Sequence, residues 1–132
     1  DYFERKLDDK RRLTIPAEAR AEFKSGVVIT RGFSNYLHVY PLHVWETMVE
    51  PELKGSILDE RIADLNVQFR MGKSVQELDE KQGRIVIEQH LLDFAGISKE
   101  LLLSELVSIG EYPRRGPNET TFQVFSSRGA LE

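Results

Sequence analysis

Two short charged segments carry the residue types and spacings that most clearly suggest chemistry. Asp8 and Arg12 lie four residues apart, and so do Glu80 and Arg84. A carboxylate at the start of a tight turn accepts hydrogen bonds from backbone N–H groups. It can also hold an arginine guanidinium in one orientation. A planar guanidinium held in this way can bind two acceptors at once, such as phosphate oxygens or the edge of a guanine base.

The same spacing also fits a plainer interpretation. An internal contact between the carboxylate and the arginine would stabilise the turn without any ligand. If the chain had one such motif, the internal contact would be the favoured interpretation. Because it has two copies, ligand binding and the internal contact are equally favoured. The residues leave both alternatives open.

Other kinds of site have little support in the sequence. The histidines His38, His43 and His90 lie outside metal-ligand spacings such as H-E-x-x-H. The chain has no G-x-S-x-G motif, no glycine-rich phosphate loop and no cysteine, so it lacks thiolate nucleophiles and cysteine zinc sites. We therefore expect neither an enzyme nor a bound metal or cofactor.

Charge and hydropathy limit the possible partners. The 132 residues carry a net charge of -4, which argues against non-specific binding to nucleic acid. The distribution is uneven, because residues 1–40 hold eight basic and six acidic residues, with a dense triplet at 10–12. No segment approaches the roughly 18 apolar residues of a membrane span, and no secretory leader opens the sequence. We expect a cytoplasmic protein with no membrane association.

The elements that must position the charged segments are repeated along the chain. Residues 7–15 resemble residues 78–87, with one extra residue in the second turn. In both copies, alternating apolar residues flank the turn, which predicts a strand, a charged turn and a second strand. A short helix is predicted after each copy, over 17–23 and over 89–94, where Gly96 would end it. Further strands are predicted over 27–30 and 36–40.

A helical insert separates the two copies. Leu42, Trp45 and Val49 share one helical face, and Pro51 is expected to end that helix. Apolar spacing predicts an amphipathic helix over 58–71, which would cover one face of a barrel. Its alternative role is a partner surface. Residues 101–109 fit either a helix or a strand, 112–118 a loop, 120–125 a strand, and 126–132 a frayed tail.

The motifs resemble those of the MraZ family. Residues 7–20, 26–33 and 36–41, with Trp45, resemble its first half-motif, and residues 79–87 and 91–97 resemble its second. The resemblance implies an α+β, mainly β fold: an AbrB-like double swapped-hairpin β-barrel made from two intrachain repeats with a helical insert. The halves would span 2–43 and 72–126, on either side of an insert at 44–71.

The resemblance also implies a function and a set of site residues. MraZ proteins are bacterial transcriptional regulators of the division and cell-wall gene cluster, and their rings present the charged turns to short tandem DNA repeats. By position, Asp8 and Glu80 become turn-shaping residues. The residues expected to contact DNA are Lys10, Arg11, Arg12, Lys81 and Arg84.

The sequence departs from the family at three places. Arg11 stands where the family usually has a small or flexible residue, so the first turn is more basic and is expected to bend differently. In the second turn, Glu80 rather than Asp79 has the four-residue spacing. Beyond Lys99 the match weakens.

The sequence thus predicts a nucleoid-associated, homo-oligomeric repressor that binds double-stranded DNA. The alternative is a protein-interaction module, either antitoxin-like or a modulator of a neighbouring enzyme. Such a module would use the apolar insert helix and the acidic surface.

Overall fold

The computed structural model describes residues 2–32, 35–53, 67, 70, 72–106 and 121–126. Over these residues the chain is mainly β with short helices, which confirms the predicted α+β class. The elements are β1 (Tyr2–Lys6), β2 (Arg12–Thr14), a 3₁₀ helix (Ala17–Phe23), β3 (Val27–Arg31), β4 (Tyr36–Pro41), α1 (Leu42–Val44), a π-helical turn (Trp45–Val49), α2 (Glu50–Leu53), β5 (Ser74–Gln76), β6 (Arg84–Val86), α3 (Gln89–Ala95), β7 (Glu100–Leu106) and β8 (Thr121–Ser126).

The strands of the two sequence copies pair with each other. A six-stranded antiparallel sheet has the order β1-β7-β8-β4-β3-β5, and β2 pairs with β6 in a separate two-stranded ribbon. The first strand of each copy pairs with a strand of the other copy, β1 with β7 and β5 with β3. At the centre of the ribbon, Leu13 lies opposite Ile85. The pairing therefore has an approximate two-fold symmetry that relates the two copies.

Alternation along the ribbon strands places their apolar residues in the core. Leu13 and Ile15 are fully buried, and so are their counterparts Ile85 and Ile87. Because successive side chains of a strand point to opposite faces, Arg12 and Thr14 of β2 and Arg84 and Val86 of β6 lie on the outer face of the ribbon. The buried cluster also takes in the 3₁₀ helix, α3 and the inner face of the large sheet, including Phe23, Val27, Ile29, Leu37, Leu91, Leu92, Leu103, Phe122 and Val124.

The other face of β3 and β4 packs against the helical segment that follows. Val28, Tyr40, Val44 and Trp45 form a second buried cluster there. The expectation that Pro51 ends this segment is wrong, because α2 runs from Glu50 to Leu53. Pro51 lies inside a helical segment that continues without a break from Leu42 to Leu53, and the backbone departs from α-helical geometry just before it. A π-helical turn precedes α2 directly.

The second copy and the last third follow the prediction where they are described. α3 ends at Gly96, whose φ of 68° is left-handed and whose N–H bonds to carbonyls of the last turn. Glu100–Leu106 is a strand, which decides between the helix and the strand left open above, and Thr121–Ser126 is a strand as predicted. The predicted helix over 58–71 (apart from Val67 and Arg70), the loop over 112–118 and the tail from 127 onward lie outside the described residues. None of the described helices has the length and apolar character needed to cross a membrane.

Candidate nucleic-acid interface

The first charged turn is organised by the carboxylate of Asp8. Its Oδ1 accepts hydrogen bonds from the backbone N–H groups of Lys10 (2.9 Å) and Arg12 (2.8 Å). Its Oδ2 accepts one from Nε of Arg12. The backbone closes the turn as well, since the N–H of Arg11 donates to the Asp8 carbonyl at 3.1 Å. Asp8 thus makes the contacts expected of a turn-shaping residue.

The second turn repeats this arrangement with Asp79 in place of the predicted Glu80. The Lys81 N–H donates to Oδ1 of Asp79 at 3.0 Å, and the Arg84 guanidinium approaches Oδ2 at 3.3 Å. Glu80 is exposed. The extra residue in this turn moves the shaping carboxylate five positions before the arginine. Asp79 follows Leu78 just as Asp8 follows Leu7, so the repeat itself held the signal that the four-residue spacing obscured.

Both arginines make contacts within the protein. Arg12 is paired with Asp8, and Arg84 is paired with Asp79. Nη1 of Arg84 also lies 3.8 Å from Oδ2 of Asp8, which links the two turns. The internal contact considered above is therefore present at both turns, and a DNA contact by either arginine stays a prediction. The side chains retain 30% and 24% exposure, so neither guanidinium is sealed off from solvent.

These contacts stabilise the charged form of both aspartates. Desolvation raises the pKa of the Asp8 carboxyl, but hydrogen bonds from the Arg12 N–H, the Arg12 guanidinium and the Lys10 N–H outweigh it and lower that pKa to about 2. The pKa of Asp79 is also lowered, first by the hydrogen bond from the Lys81 N–H and then, against desolvation, by the Arg84 guanidinium. Each turn therefore holds a permanent carboxylate near neutral pH.

The exposed cations of the two turns are Lys10, Arg11 and Lys81. They lie at opposite ends of the β2–β6 ribbon. The Ile87 N–H donates to the Arg11 carbonyl at one end (2.9 Å), and the Ile15 N–H donates to the Gly83 carbonyl at the other (2.8 Å). Strand geometry of about 3.3 Å per residue puts the two turn ends roughly 13 Å apart.

The outer face of the ribbon between the two turns is partly open. Thr14 and Val86 are exposed there beside the half-buried arginines. The side-chain amide of Gln76 binds the backbone of Val86 twice, donating to its carbonyl and accepting from its N–H, both at 2.7 Å. This amide satisfies the outer edge of β6 in the way a neighbouring strand would.

Comparison with known proteins places this arrangement in a family. A family model described as "MraZ protein, putative antitoxin-like" matches residues 2–65. A protein of Roseiflexus sp. (strain RS-1) named "Transcriptional regulator MraZ" is 37% identical over 118 residues, which cover 88% of this chain and 82% of that protein. The chain belongs to the MraZ family.

Proteins of the same name in other bacteria are similar over a shorter stretch. The one from Clostridium acetobutylicum is 34% identical over 96 residues, which cover 73% of this chain and 67% of that protein. The one from Cutibacterium acnes is 36% identical over 98 residues, or 74% of this chain and 68% of that protein.

Within the MraZ family motif, Arg11 keeps a glycine-like backbone. Its φ is 59°, and Gly83 at the equivalent place in the second turn has a φ of 65°. The first turn is thus more basic, as expected, yet Arg11 shares the left-handed conformation of Gly83. An added Cβ at Gly83 would clash with the end of the Arg20 side chain, which would have to move.

The three histidines of this MraZ-family chain each lie against neighbouring side chains or backbone groups. His38 is buried between the rings of Tyr36 and Tyr40, and burial lowers its pKa to about 4. His43 lies 3.1 Å from the Ser25 hydroxyl, and Nε2 of His90 lies 2.8 Å from the Gly72 carbonyl. The described part of the chain contains no cluster of three side chains suited to hold a metal ion.

Proposed function

We propose that this chain is a DNA-binding transcriptional regulator that uses its two charged turns to grip double-stranded DNA. The observation that carries the proposal is the placement of Lys10, Arg11 and Lys81, exposed and at opposite ends of one short ribbon. Its MraZ relatives bear the name of transcriptional regulators, which supports the same conclusion.

The dimensions of the ribbon suit the major groove. The turn ends, roughly 13 Å apart by strand geometry, match a groove that is about 12 Å wide and admits a two-stranded ribbon. Lys10 and Arg11 would contact phosphates at one side of the groove, and Lys81 would contact those at the other. The outer face with Arg12, Arg84 and the exposed Thr14 would then lie toward the base edges.

The ion pairs give the two arginines a defined role in this proposal. Asp8 and Asp79 hold the guanidinium groups on the outer face, which lowers the entropy lost when an arginine binds a base edge. They also neutralise much of the arginine charge, so a single unit would bind weakly. Short tandem repeats would compensate, because linked sites raise the effective concentration of each following contact.

We further propose how the chain folds and assembles in order to bind DNA in this way. Pairing of β1 with β7 and of β5 with β3 supports an AbrB-like swapped-hairpin barrel, with halves at 2–43 and 72–126 around an insert at 44–71. Homo-oligomeric rings of such barrels would present many turns to tandem repeats. The target would be the promoter repeats of the division and cell-wall gene cluster, and the chain would act as a repressor in the cytoplasm, at the nucleoid.

A gel-shift experiment tests the proposal. The probe is duplex DNA from the region upstream of the gene that encodes this chain, with a shuffled duplex of the same length as control. We expect a shift with the upstream DNA that weakens steeply with salt and strengthens as more repeats are included. The double variant Lys10→Ala/Lys81→Ala should lose it, and the charge-conserving Lys10→Arg/Lys81→Arg should keep it.

The protein-interaction alternative predicts a different pattern. The family description "antitoxin-like" is the observation that favours it. A stoichiometric protein partner that co-purifies with the chain, together with no shift at any array length, would replace the DNA-binding proposal with this alternative.

A further inference from the structure

Arg11 combines a strained backbone with an exposed side chain. Its φ of 59° lies in the left-handed region, where the Cβ of an L-residue crowds the following carbonyl. The equivalent position in the second turn is Gly83, which adopts the same conformation without that cost. Glycine would therefore serve the geometry of the first turn better than arginine does.

The Arg11 side chain does not offset this strain through a polar contact with any of the described residues. The Arg11 side chain is exposed, and within the described part of the chain its guanidinium makes no hydrogen bond and no ion pair. The nearest shaping carboxylate, Asp8, is already engaged by Arg12 and by the Lys10 N–H. Strain at an exposed residue whose charged group has no partner in the protein is typical of a residue that binds a ligand rather than one that stabilises the fold.

The extra cation also makes the two turns unequal. Residues 8–12 contain three cations and two carboxylates, whereas residues 79–84 contain two cations and two carboxylates. The position that precedes Gly83 is taken by the neutral Gln82. The first turn thus carries a net positive charge that the second lacks, although the two turns are related by an approximate two-fold symmetry.

We infer that the Arg11 side chain binds a DNA phosphate, and that it makes the first turn bind DNA more strongly than the second. This inference rests on the proposed DNA-binding function and deepens it. Two equivalent turns would seat the unit equally well in either direction along the duplex. A stronger first turn would favour the orientation of the chain in which that turn lies closest to the DNA phosphates.

The test exploits the opposite effects that the inference predicts for stability and for binding. In Arg11→Gly the strain disappears together with the cation, so Tm should rise by a few degrees, on the order of what one relieved left-handed residue yields. Affinity for the upstream duplex should fall about tenfold. The slope of log K against log salt concentration should become less steep by about 1 for each chain bound to the DNA. Arg11→Lys is the matched control, because it keeps both the charge and the strain, and it should stay near wild type in both measurements.

Each outcome has a distinct meaning. If the wild-type chain shifts the upstream duplex and Arg11→Gly binds it with unchanged affinity and salt slope, the inference about Arg11 is overturned while the proposed function stands. If Arg11→Gly lowers Tm and binding together, Arg11 is structural and the inference is again overturned. If the wild-type chain fails to bind any upstream duplex, the proposed function itself fails.

Discussion

Nη1 of Arg84 lies 3.8 Å from Oδ2 of Asp8, although the two residues belong to different copies of the sequence repeat. Asp8 also holds Arg12, and Arg84 also contacts Asp79. The four side chains therefore form one neutral network across the approximate two-fold relationship. Asp8 contacts both arginines, whereas Asp79 is paired with Arg84 and not with Arg12 among the described residues, so the network is not symmetric.

This asymmetry predicts unequal effects of removing the two aspartates. Asp8→Ala should lower Tm more than Asp79→Ala, because Asp8 contacts both guanidinium groups and Asp79 contacts that of Arg84. Asp9→Ala, in the same turn and exposed, is the control and should leave Tm close to wild type. Thermal unfolding of the three variants checks the order. Equal losses for Asp8→Ala and Asp79→Ala would show that the link to Arg84 contributes nothing.

The lowered pKa of Asp8 predicts a dependence of stability on acid. Because the folded-state pKa, about 2, lies below the ordinary value of 3.8, the charged form stabilises the fold. That contribution is complete above pH 3.8 and is lost as the pH falls toward 2. An NMR titration of the Asp8 carboxyl should have its midpoint near 2. In Asp8→Asn the free energy of unfolding should be lower near neutral pH, and its difference from wild type should vanish in strong acid.

Much of the local structure could be predicted from the sequence. Alternating apolar residues located the ribbon strands, since Leu13 and Ile15 must both face the core. Gly96 ended α3 because glycine accepts the left-handed φ that such an ending needs. Each of these features is set by residues close together in the chain.

The parts that the sequence left open or missed depend on strand partners and on the exact length of a turn. The strand Glu100–Leu106 is fixed by its partners β1 and β8, which apolar spacing along the chain does not reveal. The four-residue spacing predicts Glu80 as the shaping residue, but the longer second turn places Asp79 in that role. The pairing of Arg84 with Asp8 across the two copies had no local signal at all.

His38 should make the fold sensitive to mild acid. Burial lowers its folded-state pKa from 6.5 to about 4, so the unfolded state binds the proton more readily. Stability is therefore full above pH 6.5 and falls as the pH drops toward 4, by about 3 kcal/mol over that window. His38→Phe keeps an aromatic ring between Tyr36 and Tyr40 but cannot be protonated. Denaturant unfolding at pH 7 and pH 4.5 should show a smaller loss for this variant than for wild type, and equal losses would refute the prediction.

Two glycines with the same backbone conformation provide a matched pair of substitutions. Gly83 and Gly96 have φ values of 65° and 68°. An added Cβ meets nothing within 4 Å at Gly96 but clashes with Nε of Arg20 at Gly83. Gly96→Ala should cost about 1 kcal/mol for the left-handed strain alone. Gly83→Ala should cost about 1 kcal/mol more, because Arg20 must move and lose its 3.0 Å hydrogen bond to the Ile15 carbonyl.

A double-mutant cycle isolates this second effect. In an Arg20→Ala background the obstacle is gone, so Gly83→Ala should cost only as much as Gly96→Ala. Chemical denaturation of the single and double variants gives the coupling energy. A coupling energy of zero would mean that the packing of Arg20 over Gly83 does not contribute to stability.

Arg12 separates a role in DNA recognition from a role in shaping the turn. In Arg12→Ala the Asp8 carboxylate keeps its hydrogen bonds from the two backbone N–H groups, so the turn should persist and the native mass should stay that of the wild type. If the guanidinium reads DNA, affinity for the upstream duplex should fall at least about tenfold. Arg12→Lys should restore only part of it, because an ammonium lacks the planar fork. Asp8→Asn loosens the turn and weakens the hold on Arg12 but keeps its guanidinium group, so it should bind DNA better than Arg12→Ala. Equal losses in Asp8→Asn and Arg12→Ala would assign Arg12 to the turn alone, and wild-type affinity in Arg12→Ala would remove it from the interface.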